Sequence, residues 1–92
     1  EFTPDGHELW VADEAGQVVE VIDPASRAVR ATLSFAPPDT AAYKVMPCGI
    51  RFTADGRLAV IALGRSNHVA LVDVAKHQVA AYVRVGARPW QL

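Results

Sequence analysis

The segment Phe2-Thr3-Pro4-Asp5-Gly6 returns fifty residues later as Phe52-Thr53-Ala54-Asp55-Gly56. The same offset carries Ala12 onto Ala62, Val19 onto Val69, Asp23 onto Asp73, Ala25 onto Ala75, Val29 onto Val79 and Ala31 onto Ala81. Residues 2–35 and 52–85 share ten identities in 34 positions, and several other pairs exchange one apolar residue for another, as Val11 with Ile61 and Ile22 with Val72. A chain made of copies folds as copies, each burying its flat apolar face against the next. Past Phe35 and Val85 the copies diverge. Phe35 to Pro47 spans 12 residues and Val85 to Pro89 only 4, so the first copy carries an 8-residue insertion and the underlying period is 42.

A period of this size is that of one four-stranded propeller blade, about 40–45 residues. Each copy reads as strands parted by turns. Gly49–Phe52 is a short first strand, Asp55-Gly56 a tight turn, Arg57–Leu63 a second strand apolar on both faces, and Gly64–Asn67 a loop. His68–Asp73 is the third strand, and Gln78–Val85 the fourth. Strict alternation in the fourth strand would set Val79, Ala81, Val83 and Val85 on one side, as it would Val29, Ala31, Leu33 and Phe35 in the first copy. No segment has helical periodicity. The fold class expected is all-β: about two four-stranded antiparallel blades of a β-propeller, seven-bladed when whole. Residues 1–47 form the first blade with a long loop at 36–47, 48–88 the second, and 89–92 open a third. Two blades leave two apolar faces for absent neighbours, so this stretch is expected to belong to a longer chain.

Nine basic and ten acidic residues are interspersed, for a net charge of −1. No basic stripe is available to neutralise phosphates, which argues against nucleic-acid binding. The longest apolar run, Leu58–Leu63, is far short of the ~20 residues of a membrane span. Cys48 is the single cysteine, so no internal disulfide forms.

Among polar residues the most regular are Asp5, Asp23, Asp55 and Asp73. Their recurrence at every turn fits carboxylates that bind turn backbone better than a ring for metal or acid–base work. His7, His68 and His77 have no metal-ligand spacing, Cys48 lacks a haem-attachment context and reads as a small buried hydrophobe, and Ser26, Ser34 and Ser66 lack a nucleophile elbow. No catalytic residue, metal site or cofactor is expected from these residues. Asp13-Glu14 reads as a solvated loop pair. Function is expected where the second-to-third and fourth-to-first strand loops gather, since loops on a rigid scaffold carry it. Candidate ligand- or partner-binding residues there are Tyr43, Met46, Arg65, Asn67, Arg88 and Trp90, with the proline-rich insertion Ala36–Met46 as the main element. The insertion either contacts a ligand or partner protein or is an ordinary lengthened loop with Tyr43 tucked onto its own blade.

The Asp-Gly turns, Val21-Ile22-Asp23 with Leu71-Val72-Asp73, and Val85-Gly86-Ala87-Arg88-Pro89-Trp90 resemble the YVTN-type β-propeller repeat over nearly the whole chain. Trp10-Val11-Ala12-Asp13 and Val60-Ile61-Ala62-Leu63 stand where the name-giving Tyr-Val-Thr-Asn would sit. The stretch Pro47–Thr53, with Ala62-Leu63-Gly64 and the segment from Val85 to Leu92, is similar to bacterial propellers associated with pyrroloquinoline-quinone-dependent alcohol catabolism. That resemblance implies a non-catalytic accessory protein, periplasmic or secreted, binding a protein partner or small ligand. Other propellers of this kind house haem in a nitrite-reductase domain or act as lactonases. The resemblance therefore also admits an enzyme or cofactor domain whose site lies in missing blades.

Overall fold

Turn chemistry sets where the strands begin. Thr3 and Thr53 each donate through Oγ1 to the carboxylate two residues on, at 2.7 Å to Asp5 and 2.6 Å to Asp55. Each aspartate then accepts from the backbone N–H two residues on, of His7 at 2.9 Å and Arg57 at 3.0 Å. Gly6 and Gly56 take φ of 75° and 72°, a left-handed backbone that glycine enters without steric cost. Asp23 and Asp73 do similar work, accepting from Ala25 N–H at 2.9 Å and Lys76 N–H at 3.0 Å. All four recurrent aspartates are engaged in turns.

In the computed structural model, which describes residues 1–86, these turns connect seven strands in two antiparallel sheets. β1 (Leu9–Asp13), β2 (Val18–Ile22) and β3 (Val29–Ser34) form the first sheet in that order. An isolated antiparallel bridge pairs Phe2 with Leu9 beside it. β4 (Met46–Phe52), β5 (Leu58–Gly64), β6 (His68–Asp73) and β7 (Gln78–Arg84) form the second. The all-β fold of consecutive antiparallel blades is the one expected, and residues 89–92 lie outside the described residues. β5 and β7 shift by one residue from the expected Arg57–Leu63 and Gln78–Val85, and one start moves further. β4 starts at Met46 instead of Gly49, with Met46 paired to Gly64 and Pro47 to Leu63. A register shift between Pro47 and Gly49 absorbs the extra residue, and an edge strand tolerates a proline that cannot donate.

The two sheets pack face to face. Cross-strand pairs Trp10↔Val21 and Ala12↔Val19, continued by Val19↔Leu33 and Val21↔Ala31, set one face of the first sheet. Trp10, Val19 and Val21 on it have no exposure, and Leu33 and Phe35 are buried. They share a core with Ala59, Ile61, Leu63, Ala70 and Val72 of the second sheet, with Ile50 and Phe52 packed alongside. Trp10 fills the centre, its ring edge-on to Phe52 at 5.3 Å and 88°.

The repeat shows what the outer faces are for. The partners of buried Leu33 one copy on is Val83, which is 42% exposed, while Ile61 and Phe52 one copy back are Val11 at 40% and Phe2 at 55%. With Val29, these are four of the five large hydrophobics exposed among the described residues; the fifth is Tyr43. β7 also departs from strict alternation. A bulge at Ala80 of β7, opposite Leu71 and Val72, pairs Val72 with Val79 but Leu71 with Ala81, so Val79 and Tyr82 are the half-buried residues packed on the core. Ala81 and Val83 face outward.

The 92-residue chain by itself is expected to self-associate through these two faces. Analytical ultracentrifugation across a dilution series reports this; a monomer with a sharp, reversible unfolding transition would contradict it.

Candidate functional site

Alternation of strand direction sends the loops to two ends of the blades. At one end lie the β1–β2 turn, the β3–β4 insertion and the β5–β6 turn. The insertion is fastened at several points. Ala36 N–H donates to the Tyr82 hydroxyl at 2.7 Å, Gln17 Nε2 donates to the Ala42 carbonyl at 2.8 Å, and Val45 is buried. Ala42–Lys44 closes into a single 3₁₀ turn, with Val45 N–H on the Ala42 carbonyl at 3.0 Å. The β5–β6 turn is equally fixed. Arg65 and Asn67 both have left-handed backbone, φ 70° and 57°, and the Ser66 hydroxyl donates to the Leu63 carbonyl at 2.6 Å. His68, 7% exposed, has Nδ1 2.7 Å from the Ser66 carbonyl, and Val85 N–H donates to the Asn67 carbonyl at 2.8 Å.

Insertion and turn together enclose a pocket of about 150 Å³ lined by Pro38–Ala41, Lys44, Arg65–His68 and Arg84. Of the residues expected from sequence, Arg65 and Asn67 line it. Tyr43 is 69% exposed on the same insertion and is not tucked onto its blade. Met46 lies in β4, half-buried, because pairing with Gly64 draws it out of the loop. Arg88 and Trp90 lie outside the described residues. Asp13 is a turn residue, accepting from Gly16 N–H at 2.8 Å. Lys44, Arg84 and His68 complete the pocket without having been singled out. The signal that points to them is their failure to repeat: Arg84 aligns with Ser34, His68 with Val18, and Lys44 belongs to the insertion that only the first copy has.

The opposite end holds a larger groove, about 560 Å³, lined among others by Asp5, His7, Glu8, Arg30, Arg57 and His77. Its centre is Glu8, whose importance a single sequence does not display. His77 Nε2, from the β6–β7 turn, donates to both Glu8 carboxylate oxygens at 3.1 and 3.0 Å. Trp10 Nε1 donates to Glu8 at 3.2 Å, and Arg30 pairs with Glu8 at 3.1 Å and with Asp23 at 2.9 Å. The His77 ring also meets Trp10 at 6.0 Å between centroids. Burial pushes the Glu8 carboxyl up, but the hydrogen bonds from His77, Trp10 and Arg30 outweigh it and hold the group below its usual value. These charges satisfy one another, so the groove is an electrostatic clasp between sheets.

Cys48 is half-buried beside the β4 bulge, its Sγ 3.7 Å from the Ala62 carbonyl. Burial pushes its thiol up, against a lowering contact with the Gly64 backbone, which keeps it protonated and a poor nucleophile near neutral pH. Among the described residues no three His, Cys, Asp or Glu side chains gather to hold a metal ion, and no helix is long and apolar enough to cross a membrane.

Successive antiparallel sheets, here of three and four strands, stacked face to face with loops gathered at two ends, are the blades of a β-propeller, and the chain has that fold. Solved structures similar to it include Kuenenia stuttgartiensis hydrazine synthase, 23% identical with a TM-score of 0.84 over 98% of this chain and 23% of that one. The β-propeller domain of Myceliophteria thermophila Cps50 (Swd1) is 19% identical, TM-score 0.76, over 99% of this chain and 26% of that one. U3-55K is 14% identical, TM-score 0.77, over 96% and 26%. At these identities the likeness is one of fold, and the chain spans about a quarter of the length of the structures it matches. No family model matches the chain, nor does any curated protein sequence.

A carboxylate whose folded pKa is depressed contributes stability above its unfolded pKa, about 4.3 for glutamate, and loses it as pH falls through the lower folded value. Glu8→Gln should therefore lower the urea midpoint at pH 7 and flatten its decline below pH ~4. His77→Ala should cost about 1–2 kcal/mol at pH 7. Midpoints that fall equally with acid in wild type and Glu8→Gln would count against the clasp.

Proposed function

We propose that this protein is a β-propeller binding module that holds a protein partner or small ligand at the end bearing the insertion. The observation that carries the reading is the insertion itself. It is pinned at Ala36 and Ala42, and joins the β5–β6 turn in walling one polar pocket, while Tyr43 stands exposed beside it. A pinned loop loses little entropy on binding, and an exposed tyrosine offers rigid contact area. The WD40-type neighbours are consistent with a scaffold.

The finer reading is a YVTN-type propeller, periplasmic or secreted, accessory to a quinone-dependent alcohol oxidation system. The support for the repeat type is the motif likeness at Asp5-Gly6, Asp55-Gly56, Val21–Asp23, Leu71–Asp73 and Val85–Trp90, and for the quinone-linked accessory role the likeness at Pro47–Thr53, Ala62-Leu63-Gly64 and the segment from Val85 to Leu92. Further blades of the same chain are proposed to cover the faces bearing Val83 and Phe2, in keeping with the quarter-length match to whole propellers. The likeness to a hydrazine synthase supports a second reading, in which these blades form part of an enzyme whose reacting groups lie elsewhere.

The full-length protein lacking residues 37–44 is expected to lose the partner or ligand recovered with the wild type from extracts of its own source. Quantitative mass spectrometry of both eluates makes the comparison, and identical recovery would overturn the binding role of this loop.

A further inference from the structure

Structural demands recur in a repeat protein, so residues that break the repeat at one junction are where special chemistry collects. Two groups of described charged residues do so. The Glu8 clasp is one, and its charges are consumed in pairing. The other is the loop-end pocket, where Lys44, Arg65 and Arg84 converge from three elements. Lys44 ends the 3₁₀ turn that Gln17 pins; Arg65 sits in the left-handed turn; Arg84 is opposite His68 across β6 and β7. The copy before supplies alanine at Ala15 and serine at Ser34 in place of Arg65 and Arg84.

Three cations face Asp39 alone among the carboxylates of the lining, and none of the three forms an ion pair among the described residues. Like charges held around a small concavity raise a positive potential that an anion relieves. His68 adds a polar wall. Its Nδ1 donates to the Ser66 carbonyl, which fixes the ring against the turn. Size sets the class. About 150 Å³ is the room of some five waters at ~30 Å³ each, and falls short of the ~300 Å³ where pockets for whole organic ligands begin. It suits one oxyanion group.

We propose that this pocket is an anion-binding site that takes a single carboxylate or phosphate group, with Lys44, Arg65 and Arg84 as its cationic donors. This rests on the reading of the loop end as the binding surface and names the chemistry it recognises. Arginine forks accept either oxyanion in bidentate fashion, and lysine adds a point charge.

Isothermal titration of the full-length protein with inorganic phosphate and, separately, acetate at constant ionic strength tests it. Saturable binding of at least one is expected below about 20 mM, and the tighter of the two tells a phosphate site from a carboxylate site. Arg65→Gln and Arg84→Gln should each weaken binding about tenfold, Arg84→Lys should retain most of it, and Arg57→Gln at the opposite end should leave it unchanged. Circular dichroism confirms that each variant is folded. No saturable binding of either anion, or wild-type affinity in both Arg65→Gln and Arg84→Gln, would overturn the site. A loop deletion that loses its partner while neither anion binds would overturn the anion site alone. Anion binding lost in the two variants while the deletion leaves recovery unchanged would sustain the site and refute the partner loop.

Discussion

Everything in this molecule depends on one sheet covering the flat face of the next, and Trp10 is the residue on which that contact turns. Its ring has no exposure, meets Phe52 edge-on across the junction, and presents its indole N–H to Glu8 at the rim. Apolar burial is non-directional and would let two sheets slide. The directional element comes from Glu8, which ties β1's sheet to the β6–β7 turn through His77 and to β3 through Arg30. Stacking supplies the driving force, and the clasp sets the register in which it acts.

That division of labour explains the unlike ends of the blades. One is closed by tight, repeating turns and by the clasp, in which Glu8 is held by His77 and Arg30, and Arg30 also by Asp23. The other carries two short turns, an insertion fastened by Tyr82 and Gln17, and three cations with no ion pair among the described residues. Rigid strands with variable loops at one end let a repeat fold gain recognition chemistry without disturbing its core. The larger groove is therefore the structural one, and the smaller pocket the site with unspent electrostatic potential.

Much of this was legible in the chain. The fifty-residue echo, Asp-Gly punctuation and doubly apolar second strand lead directly to stacked antiparallel blades. The role of Asp5, Asp23, Asp55 and Asp73 follows from their recurrence, because every blade needs the same turn. Loop clustering also pointed to Arg65 and Asn67 at one end. Less accessible were details set by bulges. Pro47 shifts the register of β4 and draws Met46 into the strand, and the slip opposite Leu71 and Val72 turns Tyr82 inward where strict alternation would expose it.

The sequence by itself determined the unit, its period, its turns and the residues that must be buried, because these rest on local backbone geometry and on apolar patterning that repeats. Only the tertiary structure decided which departures from the repeat meet. Glu8 and His77 are 69 positions apart, and Lys44 and Arg84 line one pocket only because an insertion folds back over a neighbouring turn. Such contacts are made by through-space packing between copies, and spacing along a single chain carries no record of them.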